Sequence, residues 1–240
     1  MLINILVFIL SIIPSVLIIM RLRARRADDA IYVDNCNNAL RIGLISILPI
    51  LGVSALFAIT TRILEATVLQ DAPVLVNRAI HTFVVLAFAE ELVKFLSMKR
   101  VLKESAGAYT WADVVAFMVI IGTAFGLMED IPYAVGASPI VMIVRGITMG
   151  HVGYGYLMGK LYGKKLYTGK KLYGVLAFLI PFLIHGLYDF SLSPQLLELN
   201  DNLAFIAVSL AIVDIVLLVR MILFFVRTCK DPKYNEPLSV

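Results

Sequence analysis

Ten ionisable side chains interrupt stretches that are otherwise apolar: Glu90, Glu91 and Lys94, then Glu129 and Asp130, Arg145 and His151, His185 and Asp189, and finally Asp214. Residues four apart stack on one face of a helix. That spacing pairs Glu90 with Lys94, Phe125 with Glu129 and Tyr133, His151 with Gly155, and His185 with Asp189. A carboxylate in a water-poor setting can serve as the general base that activates water, and Glu90 is the candidate. Lys94, one turn on, keeps such a base ionised. Glu91 points about 100° around the helix, free to bind a neighbouring helix or share the task. Asp189 is spaced to accept a hydrogen bond from His185, fixing its tautomer and leaving the other ring nitrogen for a substrate. Histidines so held stabilise an oxyanion or bind a metal.

The elements that must position these residues are membrane helices. Of the 240 residues, 60% are hydrophobic, and the mean hydropathy is +0.91, far outside soluble usage. Spans of roughly 20 apolar residues are expected at 2–20, 40–61, 75–98, 112–133, 139–160, 172–190 and 203–226. The fold class is all-α: one integral membrane domain over 1–240, a polytopic bundle of about seven spans whose third to sixth form a catalytic core at 80–190. Basic residues cluster in alternate loops, at Arg21 to Arg26, Lys99 to Lys103, Lys160 to Lys171 and Arg227 to Lys233. The positive-inside rule then puts the N-terminus outside the cell membrane and the C-terminus in the cytoplasm. The first span lacks a basic leader and a cleavage site and reads as a retained, reversed anchor. Cys36 and Cys229 fall on the reducing side, so neither a disulfide nor a CxxC metal site is expected. A net charge of +4 with no aromatic-laced basic stripe excludes a nucleic-acid partner.

A charge at mid-bilayer costs about 2.5–3.5 kcal/mol on insertion scales, so the cluster must face itself or water. Counting about 1.5 Å per residue from the basic residues puts Glu90 and His151 each roughly 13 Å deep, with Glu129 several Å further outward. Gly122/Gly126, Gly146/Gly150 and Gly155/Gly159 are small-residue pairs that let helices approach closely. Arg145, Asp214 and Arg220 read as a structural ion pair, a helix–helix contact and a snorkelling side chain. HExxH and GxGD, the signatures of zinc and aspartyl intramembrane proteases, are absent. Gly136-Ala137-Ser138 imitates half of a rhomboid motif but reads as a turn beside Pro139.

In order along the chain, Glu90-Glu91-Leu92-Val93-Lys94, Phe125-Gly126-Leu127-Met128-Glu129 with Tyr133, His151-Val152-Gly153-Tyr154-Gly155 and His185-Gly186-Leu187-Tyr188-Asp189 resemble the EExxK, FxxxE, HxxxG and HGxxD pattern of the PrsW family of intramembrane proteases, relatives of the CAAX prenyl proteases and bacteriocin-processing enzymes. The resemblance spans roughly 80–190. It implies an intramembrane endopeptidase acting on a membrane-associated protein or peptide, such as a regulatory single-pass protein. Glu90 would activate water, and His151 and His185 would polarise the carbonyl or hold the oxyanion. Glu91, Lys94, Glu129 and Asp189 complete the implied site. The CAAX enzymes carry a histidine where this chain has Glu129, which disfavours a prenylated substrate.

Metal content stays open in the sequence. His151 and His185 with Glu129 or Glu90 could make a three-ligand zinc site, whereas the related prenyl proteases are regarded as metal-free glutamate enzymes, and the reading leans slightly to the metal-free side. Two other function classes fit the same cluster: a proton- or cation-coupled transporter, and a non-catalytic protein that binds membrane peptides. Transport is weakened by the lack of a visible internal repeat.

Overall fold

The computed structural model describes residues 2–105, 107–136, 138–198 and 202–238, so Ala137 of the Gly136-Ala137-Ser138 turn reading lies outside them. Among these described residues eleven α-helices follow one another: α1 Leu2–Ala24, α2 Ala30–Ile45, α3 Ile47–Thr67, α4 Val74–Ile80, α5 Phe88–Glu104, α6 Trp111–Gly136, α7 Pro139–Thr148, α8 Gly150–Thr168, α9 Lys171–Ser191, α10 Pro194–Leu197 and α11 Asn202–Val226. Several join end to end. A π-helical stretch, His81–Ala87, links α4 to α5, Ser46 links α2 to α3, and Met149 links α7 to α8. The result is a seven-rod helical membrane bundle with no strand among the described residues. Among the described residues, five rods are long and apolar enough to cross a bilayer, at Leu6–Ala24, Ala30–Thr67, Trp111–Gly136, Lys171–Ser191 and Asn202–Lys230. The other two carry the charges of the first and third motifs.

The second rod begins ten residues before the expected start of its span, because Asp29 caps it by accepting from the Tyr32 amide. At 38 residues it is longer than a bilayer requires. Its surplus, with Tyr32 and Cys36 buried, packs at one end of the bundle. There Arg25 and Arg26 both pair with buried Asp113, Asn38 donates to Glu104, Trp111 donates to the Lys160 carbonyl, and Leu238 donates to the Tyr109 carbonyl. All four basic segments therefore meet at one end, as the two crossings between each successive pair require.

α6 is the axis. Every residue from Trp111 to Phe125 is buried, and α8 lies against it through glycines. A Cβ at Gly122 would stand 2.3 Å from the His151 carbonyl oxygen, and one at Gly155 would stand 2.7 Å from that of Met118. Neither position has room for a side chain, so the close approach that sets His151 against α6 is written in these two residues. Large apolar side chains such as Leu10, Leu56 and Phe205 stay exposed on the outer rods, as a surface facing lipid demands.

Candidate active site

The first motif follows a widened helix. In the π stretch the chain turns by more than 3.6 residues, which frees a carbonyl from the ladder, and Ser54 of α3 donates to Val85 O at 2.9 Å. α9 presses on this stretch at Gly186, where a Cβ would lie 2.5 Å from the Phe83 ring. One turn later, Glu90, Glu91 and Lys94 are all buried.

The seven expected site residues come together. Lys94 Nζ lies 2.6 Å from Glu91 Oε1, 3.7 Å from Glu90 Oε2 and 2.9 Å from His151 Nδ1. It also sits 4.5 Å above the Phe125 ring, which gives the second motif's aromatic residue a cation to cover. On the other side of the imidazole, His151 Nε2 and Glu129 Oε2 are 2.5 Å apart. Asp189 meets His185 Nε2 at 3.1 Å, as the i,i+4 spacing predicts. The second nitrogen of His185 is not left for substrate: Nδ1 faces Glu91 Oε1 at 2.9 Å, because Glu91 reaches across to α9. The two imidazoles stand edge to face, 5.2 Å between centroids.

Arg145, Asp130 and Asp214 were not among the expected site residues, yet they stand at the cluster. Arg145 bridges Glu129 at 2.8 Å and Asp130 at 2.7 Å, with the Tyr133 ring 4.0 Å below it. The ion-pair reading of Arg145 thus holds, with Glu129 as the shared partner that ties it to His151. Asp214 Oδ2 accepts from Tyr154 Oη at 3.2 Å, and Tyr154 stacks on His185 at 5.3 Å. All three line one cavity of about 60 Å³ with Glu129, His151, His185 and Asp189. A second hollow of about 450 Å³ opens beside it, sharing Arg145, Tyr188 and Asp189 and otherwise walled by apolar residues such as Leu86, Ile140 and Val144.

The donor set suits a divalent cation. Glu90, His151 and His185 each present a ligand atom within 4.8 Å of the others, two imidazoles and a carboxylate being a usual open zinc set. Of the two carboxylates that the sequence leaves open, Glu90 stands in this set, while the Glu129 oxygen is engaged by His151 and Arg145. Glu90 Oε2 is buried without a hydrogen-bond partner. Among the described residues, six carboxyl groups, on Glu90, Glu91, Glu129, Asp130, Asp189 and Asp214, face two permanent cations, Lys94 and Arg145. In a low-dielectric interior such an excess calls for protons or a metal.

Comparison with known proteins gives a family and two relatives. The profile of a family described as PrsW family intramembrane metalloprotease matches residues 42–223. A protein named Protease PrsW from Shouchella clausii (strain KSM-K16) is 26% identical over 151 residues, 61% of this chain and 70% of its own. Another Protease PrsW, from Oceanobacillus iheyensis (strain DSM 14371 / CIP 107618 / JCM 11309 / KCTC 3954 / HTE831), is 30% identical over 117 residues, 47% of this chain and 54% of its own. No solved structure matches.

Proposed function

This chain belongs to the PrsW family of intramembrane metalloproteases and is an intramembrane protease, and from that premise we propose that it hydrolyses a peptide bond in a membrane-embedded segment of a single-pass protein. The observation that carries this reading is the buried cluster drawn from four rods, with Glu90 Oε2 lacking any hydrogen-bond partner at its centre. Such an oxygen is placed to take a proton from water as it attacks a carbonyl. Lys94 and Glu129 hold His151 from its two nitrogens, and Glu91 and Asp189 hold His185. Both rings are therefore fixed before substrate arrives, and a carbonyl oxygen or an ion would take a ring nitrogen in exchange for one of these contacts.

Glu90, His151 and His185 would hold a divalent ion, zinc being the candidate. When bound it would supply Lewis acidity toward the carbonyl and toward water. A carboxylate has two oxygens, so ligation through one leaves the other to accept a proton. The family description and this donor set move the balance from the metal-free account toward the metal-assisted one. The core at 80–190 does the chemistry, the basic end of the bundle lies in the cytoplasm of the cell membrane, and the N-terminus lies outside.

The test is cleavage of a panel of single-pass membrane peptides by the purified, detergent-solubilised chain, with and without a chelator, alongside elemental analysis. Chelation is expected to lower cleavage by at least about 10²-fold, with activity restored by a divalent ion and no ion retained by a His151→Ala variant. Full cleavage by a metal-free preparation would return the site to a glutamate working alone.

A further inference from the structure

Each bond hydrolysed consumes a water, and a site enclosed by lipid-facing helices needs a supply. We propose that the cavity behind the two histidines is a water-holding chamber, built by Ser11 and Ser15 of α1, the break between α7 and α8, and Asp214 of α11. This rests on the hydrolytic reading of the adjoining site, which shares its walls.

Three features of the far wall point to water. Asp214 is 1% exposed, and while its Oδ2 accepts from Tyr154, its Oδ1 is buried with no protein hydrogen-bond partner. A carboxyl group on a lipid-spanning helix is costly unless something solvates it, and here only one of its oxygens is served by protein. Ser11 and Ser15 are the sole polar side chains of α1 between Leu6 and Met20, four residues apart, so they share one face. Both line the cavity. The Ser11 hydroxyl already donates to Phe8 O at 2.8 Å, which leaves its lone pairs to accept from water.

The chain is shaped to keep this space. A Cβ at Gly150 would stand 3.1 Å from both Asp214 Oδ2 and Tyr154 Oη, and one at Gly146 would stand 2.9 Å from Ser11 Cβ. Between these glycines Met149 takes a left-handed φ of 46°, a strained value for a residue with a side chain, and it interrupts the helix where the cavity lies. A volume of about 60 Å³ lined by several polar groups accommodates a few waters, each wanting two to four partners. Glu129, His151, His185 and Asp189 form the near wall, so water held here is next to the groups that use it.

Radiolytic hydroxyl labelling tests this directly, because the radical forms from water at the point of attack and cleavage activity is not needed. In the purified full chain, Met149 and Tyr154, which line the chamber, are expected to be oxidised about tenfold faster than fully buried Met118 and Met158, which do not. Ser15→Val, which replaces the hydroxyl with two methyl groups, should remove most of that labelling, and Asp214→Leu should remove it as well. Where the parent cleaves, Ser15→Val is expected to lower kcat on the order of tenfold with KM unchanged. Labelling of Met149 and Tyr154 no faster than that of Met118 and Met158 overturns the proposal. So does labelling that persists undiminished in folded Ser15→Val protein. Failure of the parent to cleave, with the labelling pattern as expected, would instead count against the hydrolytic reading and leave the chamber standing.

Discussion

Glu90→Gln protein is expected to fold and bind substrate normally and to cleave about 10²–10⁴-fold more slowly than its parent, the range that general acid–base catalysis supplies. The side chains are nearly the same size, and what changes is the ability of one oxygen to take a proton or a cation. The structure separates this effect from simple damage. Glu90 Oε2 lies 3.7 Å from Lys94 Nζ and 3.8 Å from His185 Nε2, both beyond hydrogen-bond length. Glu91 is the contrast, with contacts of 2.6 Å to Lys94 and 2.9 Å to His185. A Glu91→Gln change breaks charge-assisted bonds and should therefore lower stability, whereas Glu90→Gln should not. Cleavage rates and unfolding midpoints of the two variants, taken side by side, check the assignment. A Glu90→Gln enzyme that cleaves as fast as its parent would remove Glu90 from the chemistry.

Lys94→Met should be the most destabilising single change in the cluster. Lys94 is 1% exposed and is the cation between Glu91, Glu90 and His151. Removing one partner of a buried ion pair leaves an uncompensated charge, at a cost of about 3–5 kcal/mol. Methionine keeps the length and the apolar stem, so packing against Phe125 survives and the loss reports on charge. The Lys94→Met/Glu91→Gln double variant should recover part of the stability, since the stranded carboxylate is gone, and a double-mutant cycle measures the coupling. A single variant as stable as its parent in a denaturing-detergent titration would show that Glu91 is held by His185 alone.

The seven rods were legible because basic residues alternate between loops, and the structure gathers those loops at one end. The four motifs were legible because membrane helices rarely carry acids and histidines at i,i+4 spacing. Depth was read less well. Glu129 came out too far from His151 because depth was counted from the basic residues, whereas the helices run past them. Measured from helix ends, Glu129 is eighteen residues from Trp111 and His151 seventeen from Thr168, so the two share a level and their side chains touch.

Two breaks left little trace in the sequence. The His81–Ala87 stretch contains neither glycine nor proline, and its wide turns are held by tertiary partners, Ser54 on Val85 O among them. The Met149 break was masked by an apolar run. On an unbroken helix Arg145 and His151 would point about 120° apart, which made Arg145 look remote from the site. With the break, both meet Glu129. Asp214 had no companion on its own helix, and its partner Tyr154 sits within the third motif, at a position the HxxxG pattern leaves open.

Hydrolysis at this cluster is tested most directly by incubating the purified chain with a single-pass membrane peptide in heavy-oxygen water and analysing the fragments by mass. If Glu90 and the two histidines direct water at a peptide bond, the parent yields two fragments, one heavy oxygen enters the newly formed C-terminal carboxylate, and Glu90→Gln protein yields neither. Intact peptide in the presence of folded, metal-supplied parent across the panel, or fragments without the label, would contradict hydrolysis at this cluster.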